Sequence, residues 1–220
     1  MKATIRIELQ SEAIFGSGQS TPGVVDLEVL HDEYGFPYYR AKALKGHLRE
    51  QMTVLKKMLD RLPHSEQIAH IVDKCFGQSN IYHVMPGVLK FTDAEIRQSI
   101  RQPFMEAIHA RILTPEEVLH ALTDIRYFTS IDRNTGAVED GTLRQYRVVR
   151  PNLVFESHVD GIDQLNEFEL GLLAASVANL RYIGTMKNRG KGEVRCRLWV
   201  DDRDVTLEYI DSLRKWVTSA

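Results

Sequence analysis

Residues 168–200, FELGLLAASVANLRYIGTMKNRGKGEVRCRLWV, decide the fold of this chain. The segment 168–180 carries apolar residues at helical spacing and is the most apolar helical segment of the sequence. The segment 194–200 predicts a strand, and residues 180–194 between the two are rich in glycine and basic residues. The sequence therefore predicts a helix that leads into a glycine-rich loop, followed by a strand.

The glycine-rich loop has the composition of a segment that holds phosphate groups. Its glycines and basic residues are Gly184, Gly190, Gly192, Arg181, Lys187, Arg189 and Lys191. Glycine permits positive φ and a close approach of the backbone to a ligand, and exposed amides with fixed cations suit a polyanion. Neither G-x-x-x-x-G-K-[ST] nor G-x-G-x-x-G is present, so a chain-like phosphate backbone is favoured over a nucleotide. The alternative is a turn whose charges are only solvated.

The composition predicts a globular protein with little net charge, and a length of 220 residues allows one large domain or two small ones. The chain is 43% hydrophobic, and its formal net charge is −2. Binding to nucleic acid must therefore come from a local basic surface and not from the field of the whole molecule. The segment from Arg181 to Arg197, with six cations against the single acid Glu193, supplies one such surface.

The cysteines and the hydropathy pattern exclude several classes of protein. Cys75 and Cys196 lie far apart and lack metal-ligand spacing, which argues against a disulfide framework and a zinc module and favours a reducing, cytoplasmic setting. A zinc site built from Cys75 and His83 is not expected either. The amino terminus lacks an apolar signal core, and no run approaches the ~18 apolar residues of a membrane helix.

Periodicity and turn signals place further elements along the chain. These elements are a strand at 5–9, a hairpin at 24–39, a helix from 43 until Pro63, a short helix at 68–75, a strand at 87–91 and a closing helix at 207–217. Residues 94–122 predict a mostly helical insertion, because Thr114 and Pro115 are typical of a helix start.

Residues 127–150 predict an extended β-hairpin, whose second strand is expected to continue through residues 143–155. Its flanks carry arginines that could contact an anion, namely Arg126, Arg133, Arg144, Arg147 and Arg150. The order strand, helix, strand, hairpin, helix, loop, strand fits an α+β fold with a ferredoxin-like core, in which two helices cover one face of an antiparallel sheet.

Three stretches together resemble one protein family, and they cover roughly the whole chain. They are Gly23–Arg49, Cys75–Ala94 and Leu180–Val194. They hold an aspartate-bearing loop, an acidic turn ending in Gly-x-Pro, a Leu-Lys-Gly-x-Leu-Arg helix start, a Phe-Gly followed by Gly-x-Leu-x-Phe-x-Asp-Ala, and the glycine-rich loop. In this order they are similar to the RAMP superfamily of CRISPR-associated proteins, in particular to the backbone subunit of type III effector complexes.

This resemblance implies a single RAMP domain over residues 1–220, with an RRM-like core and a projecting thumb, which is the hairpin predicted at 127–150. It implies copies stacked head to tail along a guide RNA (crRNA), with complementary target RNA paired to the guide. The implied partners are other type III effector subunits, including the large polymerase and nuclease subunit, and no membrane. The implied role is antiviral defence in the cytoplasm.

The resemblance also implies a catalytic residue. Many such subunits cut the bound target RNA at a metal-dependent site whose essential aspartate lies in the first long loop, and that position here is Asp26. RNA supplies its own 2′-hydroxyl nucleophile, so one carboxylate with Mg²⁺ or Mn²⁺ would suffice if RNA phosphates completed the metal site. The alternative is that Asp26 is a turn or cap residue. Asp32 is assigned to the structure of its own turn.

Further RNA contacts are expected from the first helix and from the hairpin. A helix start favours phosphate, and Lys45 and Arg49 share one helix face. Residues 40–43 replace the family's Gly-Ser by Arg-Ala-Lys-Ala, which adds positive charge. The alternative is a solvated helix face. The complete expected RNA-binding set is Lys42, Lys45, Arg49, Arg133, Gly184, Lys187, Arg189, Gly190, Lys191 and Gly192.

The sequence leaves two alternatives open within the superfamily. One is a structural subunit of the same complex in which Asp26 is inert. The other is a repeat-processing endoribonuclease, in which His47 would act as acid or base. The hairpin and the aspartate loop favour the backbone subunit. An RNA-binding domain of the general RRM type is disfavoured, because its aromatic Lys/Arg-Gly-Phe signature is absent.

Overall fold

A computed structural model describes residues 2–60, 68–79, 84–132, 135–139 and 141–219. Two residues singled out above, Arg133 and His83, lie outside the described residues. Among the helices of the described ranges, none has both the length and the apolar content that crossing a bilayer requires.

Strands and helices alternate along the chain, as the sequence pattern predicts. The strands are β1 (Ala3–Leu9), β2 (Tyr38–Tyr39), β3 (Gly77–Ser79), β4 (Val84–Pro86), β5 (Lys90–Phe91), β6 (Ala94–Ile96), β7 (Thr123–Phe128), β8 (Arg144–Val149), β9 (Val154–Asp160), β10 (Val194–Val200) and β11 (Arg203–Asp204). The helices are α1 (Ala41–Leu59), α2 (Ile71–Phe76), α3 (Gln98–His109), α4 (Pro115–Leu122), α5 (Glu167–Asn179) and α6 (Thr206–Ser219).

One antiparallel sheet forms the centre of the protein. Its strand order is β11-β10-β1-β9-β6-β2, and β5 also pairs with β9. Strand β1 lies between β10 and β9, with Ala3 opposite both Val200 and Val159. The predicted α+β architecture with an antiparallel sheet is therefore confirmed. The finer prediction of a ferredoxin-like core stays an interpretation of this strand order.

The two faces of the sheet differ in polarity because side chains alternate along each strand. Ile5 and Ile7 are fully buried on one face, where α1 and α5 pack against each other and α5 packs on β10. Arg6 and Glu8, the residues that alternate with them, are half-buried on the opposite face. The core thus lies on the helix side of the sheet, and the other face is polar.

Two predicted boundaries are wrong. Residues 94–96 are not part of the helical insertion but form β6, because buried Ala94 and Ile96 alternate with exposed Glu95 and pair with the sheet. The strand predicted over 143–155 is interrupted at Pro151, which has no backbone N–H, and at the following asparagine, whose φ is +66°. The chain therefore leaves the hairpin at the end of β8 and enters the central sheet as β9.

The segment 24–30 also differs from the prediction of a hairpin strand. Instead of forming a regular strand, it makes isolated bridges, among them one between Leu27 and Tyr146 of β8. The turn after it is confirmed, because Asp32 Oδ1 accepts hydrogen bonds from the backbone N–H groups of Tyr34 and Phe36. The strand predicted at 87–91 is reduced to the two residues of β5.

The hairpin predicted at 127–150 is present as β7 and β8, paired from Thr123 to Phe128. A buried ion pair joins it to the segment that follows β1: Arg147 Nε donates to Glu28 Oε1 at 2.5 Å. Glu28 also accepts a hydrogen bond from Val29 N, which helps to satisfy its charge inside the protein. Removing one partner would leave the other charge buried and unpaired, so this pair fixes the hairpin on the body.

Candidate nucleic-acid interface

Helix α1 begins beside the sheet, and its first turns carry two predicted RNA-binding lysines. Asp93, the residue before β6, accepts a hydrogen bond from Ala41 N at 2.6 Å and so satisfies one of the free amides of the helix start. Lys42 is exposed and Lys45 is half-buried, and neither side chain has a hydrogen bond or an ion pair with another described residue. Both ammonium groups are therefore available to an anion.

Arg49, the third predicted cation of this helix, has an internal partner. Its NH2 group lies 3.5 Å from Asp73 Oδ1 of α2, and the side chains of both residues are 41% exposed. An exposed ion pair of this kind contributes about 0–1 kcal/mol to stability. A phosphate group could therefore compete with Asp73 for the guanidinium.

The glycine-rich loop contacts α1 through Lys187. Lys187 Nζ lies 3.4 Å from His47 Nε2, and the His47 ring is stacked on Tyr39 with ring centroids 6.4 Å apart and planes at 6°. Burial, and then the charge of Lys187, lower the pKa of His47, so the neutral ring can accept a hydrogen bond from the ammonium. The structure thus places Lys187 against the helix that carries Lys42 and Lys45.

Two of the loop glycines are required by the protein's own packing. A Cβ at Gly184 would lie 2.5 Å from Ile14 O, and a Cβ at Gly192 would lie 1.9 Å from Ile183 O. Both glycines have positive φ, which a side chain would also disfavour. Gly190 also has positive φ, but it has open space where a Cβ would be, so it leaves room for a ligand. Close approach to RNA was the expected reason for all three glycines, and the structure supplies a different reason for two of them.

Lys191 is bound by an internal carboxylate. Its Nζ donates to Glu12 Oε2 at 2.5 Å, while Arg126 of β7 donates to Glu12 Oε1 through Nε at 2.9 Å and NH2 at 2.6 Å. The Glu12 side chain is 16% exposed. Glu12 therefore connects the glycine-rich loop to the hairpin, and the Lys191 ammonium is held by an internal carboxylate.

We expect Glu12 to make the stability of the protein depend on pH. The hydrogen bond from Arg126 lowers the pKa of Glu12 from its ordinary value of 4.5, burial opposes this shift, and Lys191 adds to it. A carboxyl whose pKa is lowered by folding contributes its stability above the unfolded pKa and loses it as the pH falls through the folded pKa.

Glu12→Gln should therefore lower the melting temperature at about pH 7 and have much less effect at about pH 3. Thermal unfolding followed by circular dichroism at both pH values measures this difference. A melting-temperature loss of the same size at both pH values would contradict the assignment.

Asp26, the predicted catalytic residue, is exposed and contacts the hairpin. Its backbone N donates to Gln145 O at 2.7 Å, and Gln145 N donates to Asp26 Oδ2 at 2.7 Å. Oδ1 has no hydrogen-bond partner among the described residues. Asp26 therefore has a structural contact with strand β8 and also one carboxylate oxygen without a partner among the described residues.

The metal ion implied by the resemblance does not fit a site built from this chain alone. Within the described ranges, no group of three or more His, Cys, Asp or Glu side chains could hold a metal ion. Asp26 offers one free oxygen, whereas Mg²⁺ requires six oxygen ligands. Among the described residues, Asp26 could therefore contribute to a metal site only together with oxygens from elsewhere.

Most hairpin arginines are committed to internal ion pairs. Arg147 is buried, and Arg126 and Arg150 are paired with carboxylates on neighbouring segments. The expectation that these arginines contact an anion is therefore wrong for Arg147 and weakened for the other two. Arg144 is exposed and has no ion pair with a described residue, while Arg133 lies outside the described residues.

The basic segment 181–197 is not one surface. The last four residues of this segment, 194–197, are the beginning of strand β10. Arg195 and Arg197 are exposed at alternate positions of that strand, and Cys196 between them is buried under the helices. Arg195 and Arg197 therefore face away from the side on which Lys187 contacts α1.

Sequence reasoning missed three carboxylates that position the candidate interface. Glu12 holds the loop and the hairpin, Glu28 holds Arg147, and Asp93 caps α1. Their partners lie far away in the sequence, so no local spacing could reveal Glu12 or Glu28. Asp93 belongs to the Gly-x-Leu-x-Phe-x-Asp-Ala motif, so the sequence singled out this residue. The motif did not show that the residue caps α1.

Comparison with known proteins gives a family and a fold. A family model described as the RAMP superfamily matches residues 6–195. The fold is similar to a structure described as "Type III-B Cmr-beta Cryo-EM structure of the Apo state", with 17% identity and a TM-score of 0.63 over 92% of this chain and 99% of the other. It is also similar to "Cryo-EM structure of the Type III-B Cmr-beta bound to cognate target RNA", with 17% identity and a TM-score of 0.60 over 90% and 97%. No curated protein matches the sequence.

Proposed function

The chain belongs to the RAMP superfamily, and on this basis we propose that it is a guide-RNA-binding backbone subunit of a type III CRISPR effector complex. The observation that carries the proposal is the placement of available cations on two neighbouring elements. Lys42 and Lys45 lie on the first turns of α1, and Lys187 lies on the loop that contacts the same helix. Ammonium groups arranged in this way suit successive phosphates of an RNA backbone.

Phosphate contacts carry no sequence information, so this subunit accepts any guide sequence. The experiment that tests the proposal is the salt dependence of guide RNA binding by variants that lack Lys42, Lys45 and Lys187. We expect the affinity of these variants for guide RNA to fall less steeply with salt concentration, because each lost phosphate contact reduces the number of counterions that binding releases.

The partners of the proposed subunit follow from the complexes to which its fold is similar. The two similar structures are described as Cmr-beta of type III-B, and one of them is bound to cognate target RNA. In our proposal, copies of this chain stack head to tail along the guide and pair the target RNA with it. Other effector subunits, including the large polymerase and nuclease subunit, complete the complex in the cytoplasm.

We further propose that the bound target RNA is cleaved at Asp26. The observation in favour is that Asp26 is exposed beside the first residues of β8, with Oδ2 accepting a hydrogen bond from Gln145 N and Oδ1 without a partner among the described residues. The 2′-hydroxyl of RNA attacks the adjacent phosphorus while the bond from phosphorus to the 5′-oxygen of the next nucleotide breaks, which leaves a 2′,3′-cyclic phosphate and a 5′-hydroxyl end. The reaction therefore needs a group that orients the 2′-hydroxyl and accepts its proton, and water protonates the leaving 5′-oxygen. A carboxylate fixed at one oxygen is able to do both.

Dependence of the cleavage on Mg²⁺ or Mn²⁺ is part of this proposal. Because the described residues do not form a metal site by themselves, we propose that the RNA supplies the remaining oxygen ligands. We assign no step of the reaction to the ion.

A further inference from the structure

The sheet face that is turned away from α1 and α5 contains a cleft, which we call the sheet-face cleft. Its volume is about 450 Å³. The side chains that define it are Arg6, Arg97, Val154, Arg195, Arg197 and Trp199. They come from β1, β9, β10 and the residue before α3. The cleft is therefore separate from the interface at α1 and the glycine-rich loop, which lies on the other side of the sheet.

Arg6 forms a flat cationic surface in the sheet-face cleft. Its guanidinium carbon lies 3.5 Å from the centre of the Trp199 ring, so the indole covers one face of the guanidinium. Arg6 Nε donates to Glu156 Oε1 at 2.7 Å, which fixes the plane of the group. The Arg6 side chain is 21% exposed, and one of its terminal nitrogens also lies 3.8 Å from Asp202 Oδ1. An arginine plane is a surface on which RNA bases stack.

The cations around this surface are only partly neutralised. Arg195 is exposed and has no hydrogen bond or ion pair with a described residue. Arg197 pairs with Asp204 at 2.7 Å and Arg97 pairs with Glu156 at 2.6 Å, and each guanidinium keeps further N–H donors.

The lining of the cleft contains fewer acidic than basic side chains. Glu8 is the acidic residue among the described lining side chains, against four arginines. The first turn of α3, which borders the cleft, also holds no acidic residue. The lining therefore favours an anion that carries a planar, partly apolar group.

We propose that the sheet-face cleft binds a nucleotide unit of single-stranded RNA. The base lies on the Arg6 guanidinium and against Val154, and Arg195 and Arg197 bind the adjacent phosphate. This ligand uses both features of the cleft, the stacking plane and the partly neutralised cations, whereas an acidic peptide would use only the cations. The cleft is thus a second RNA contact, on the face opposite the proposed guide site, and it does not depend on the proposed function being correct.

The test uses the full chain in which Lys42, Lys45 and Lys187 are replaced by alanine, so that binding at the other face is reduced. The probe is a fluorescein-labelled uridine octamer, followed by anisotropy. In this background Arg195→Ala should weaken binding by about fivefold or more, and Arg6→Lys, which keeps the charge and removes the plane, should also weaken it. Arg214→Ala on α6, an exposed arginine away from the cleft, is the matched control and should have no effect.

The intrinsic fluorescence of Trp199 gives an independent readout. In a Trp216→Phe variant, Trp199 is the remaining tryptophan of the chain, and the octamer should change its emission in a saturable way that Arg195→Ala abolishes. Unchanged affinity of Arg195→Ala would overturn the proposal. So would equal competition by a glutamate decapeptide, which would make the cleft a peptide site, or by uridine monophosphate, which would make it a mononucleotide site.

Failure of this proposal and failure of the guide-binding proposal give different results. Loss of octamer binding in the lysine-to-alanine background relative to the wild type supports the guide site at α1. A further loss on Arg195→Ala supports the sheet-face cleft. These two comparisons of octamer binding are independent of each other. Thermal unfolding of every variant confirms that it is folded.

Discussion

Asp26→Asn is expected to abolish cleavage of a complementary target RNA by the guide-loaded complex, with a rate loss of about a hundredfold or more. The asparagine keeps an oxygen that can accept the hydrogen bond from Gln145 N, so the attachment of Asp26 to the hairpin is preserved. It removes the negative charge and the proton-accepting oxygen. Gel analysis of labelled target RNA in the presence of Mg²⁺ measures the rate, and binding of the same target should stay unchanged.

Two further variants separate chemistry from structure. Asp26→Ala removes the contact with Gln145 as well, so it should combine the loss of cleavage with a lower melting temperature. Asp163→Asn changes an exposed aspartate that has no hydrogen bond to a described residue, and it should cleave like the wild type. If Asp26→Asn cleaves at the wild-type rate, Asp26 is a cap residue and the subunit is structural. If a chelator leaves wild-type cleavage intact, the proposed metal dependence is wrong.

Replacement of Lys42, Lys45 and Lys187 by alanine is expected to weaken guide RNA binding by tenfold or more at about physiological salt. Each of these ammonium groups lacks a carboxylate partner among the described residues, so each is free to bind a phosphate. A single-stranded RNA loses about 0.7 from the slope of log affinity against log salt for each lost contact. The slope should therefore fall by about 2, which filter binding at several salt concentrations measures.

Lys191→Ala is the matched control for this charge removal. Lys191 belongs to the same loop, but its ammonium is held 2.5 Å from Glu12 Oε2 and its side chain is only 18% exposed. We therefore expect Lys191→Ala to leave the salt slope nearly unchanged and to lower the melting temperature. If Lys191→Ala flattened the slope as much as Lys187→Ala, the loop would bind RNA through the cation that the structure holds internally.

The sequence predicted those elements whose signals are local. The alternation of residues 5–9, the apolar spacing of α1 and α5 and the turn at Asp32 each depend on neighbours within a few residues, and the structure confirms them. The predicted boundaries of elements were wrong where pairing with the central sheet determines the structure. Residues 94–96 are too few to show a period, and they become a strand because β9 and β2 lie on either side of them.

The sequence shows which residues of the candidate interface are basic, but it does not show which contacts they make. The spacing of the loop glycines predicts a tight backbone, yet it does not show that Gly184 and Gly192 pack against Ile14 and Ile183. The count of basic residues from Arg181 to Arg197 likewise placed Arg195 on the same surface as the cations of the loop.

The sheet separates Arg195 from those cations because consecutive side chains of a strand point to opposite faces. Long-range partners such as Glu12 and Arg126 leave no trace in a single sequence.

The most direct test of the central claim is the mass of the particle formed by this chain on guide RNAs of increasing length. A backbone subunit that stacks head to tail adds one chain for each further segment of RNA, because its interface does not close on itself. We therefore expect the particle mass to rise in steps of one chain. One chain per RNA at every length would contradict the account, and it would favour a repeat-processing enzyme that works alone.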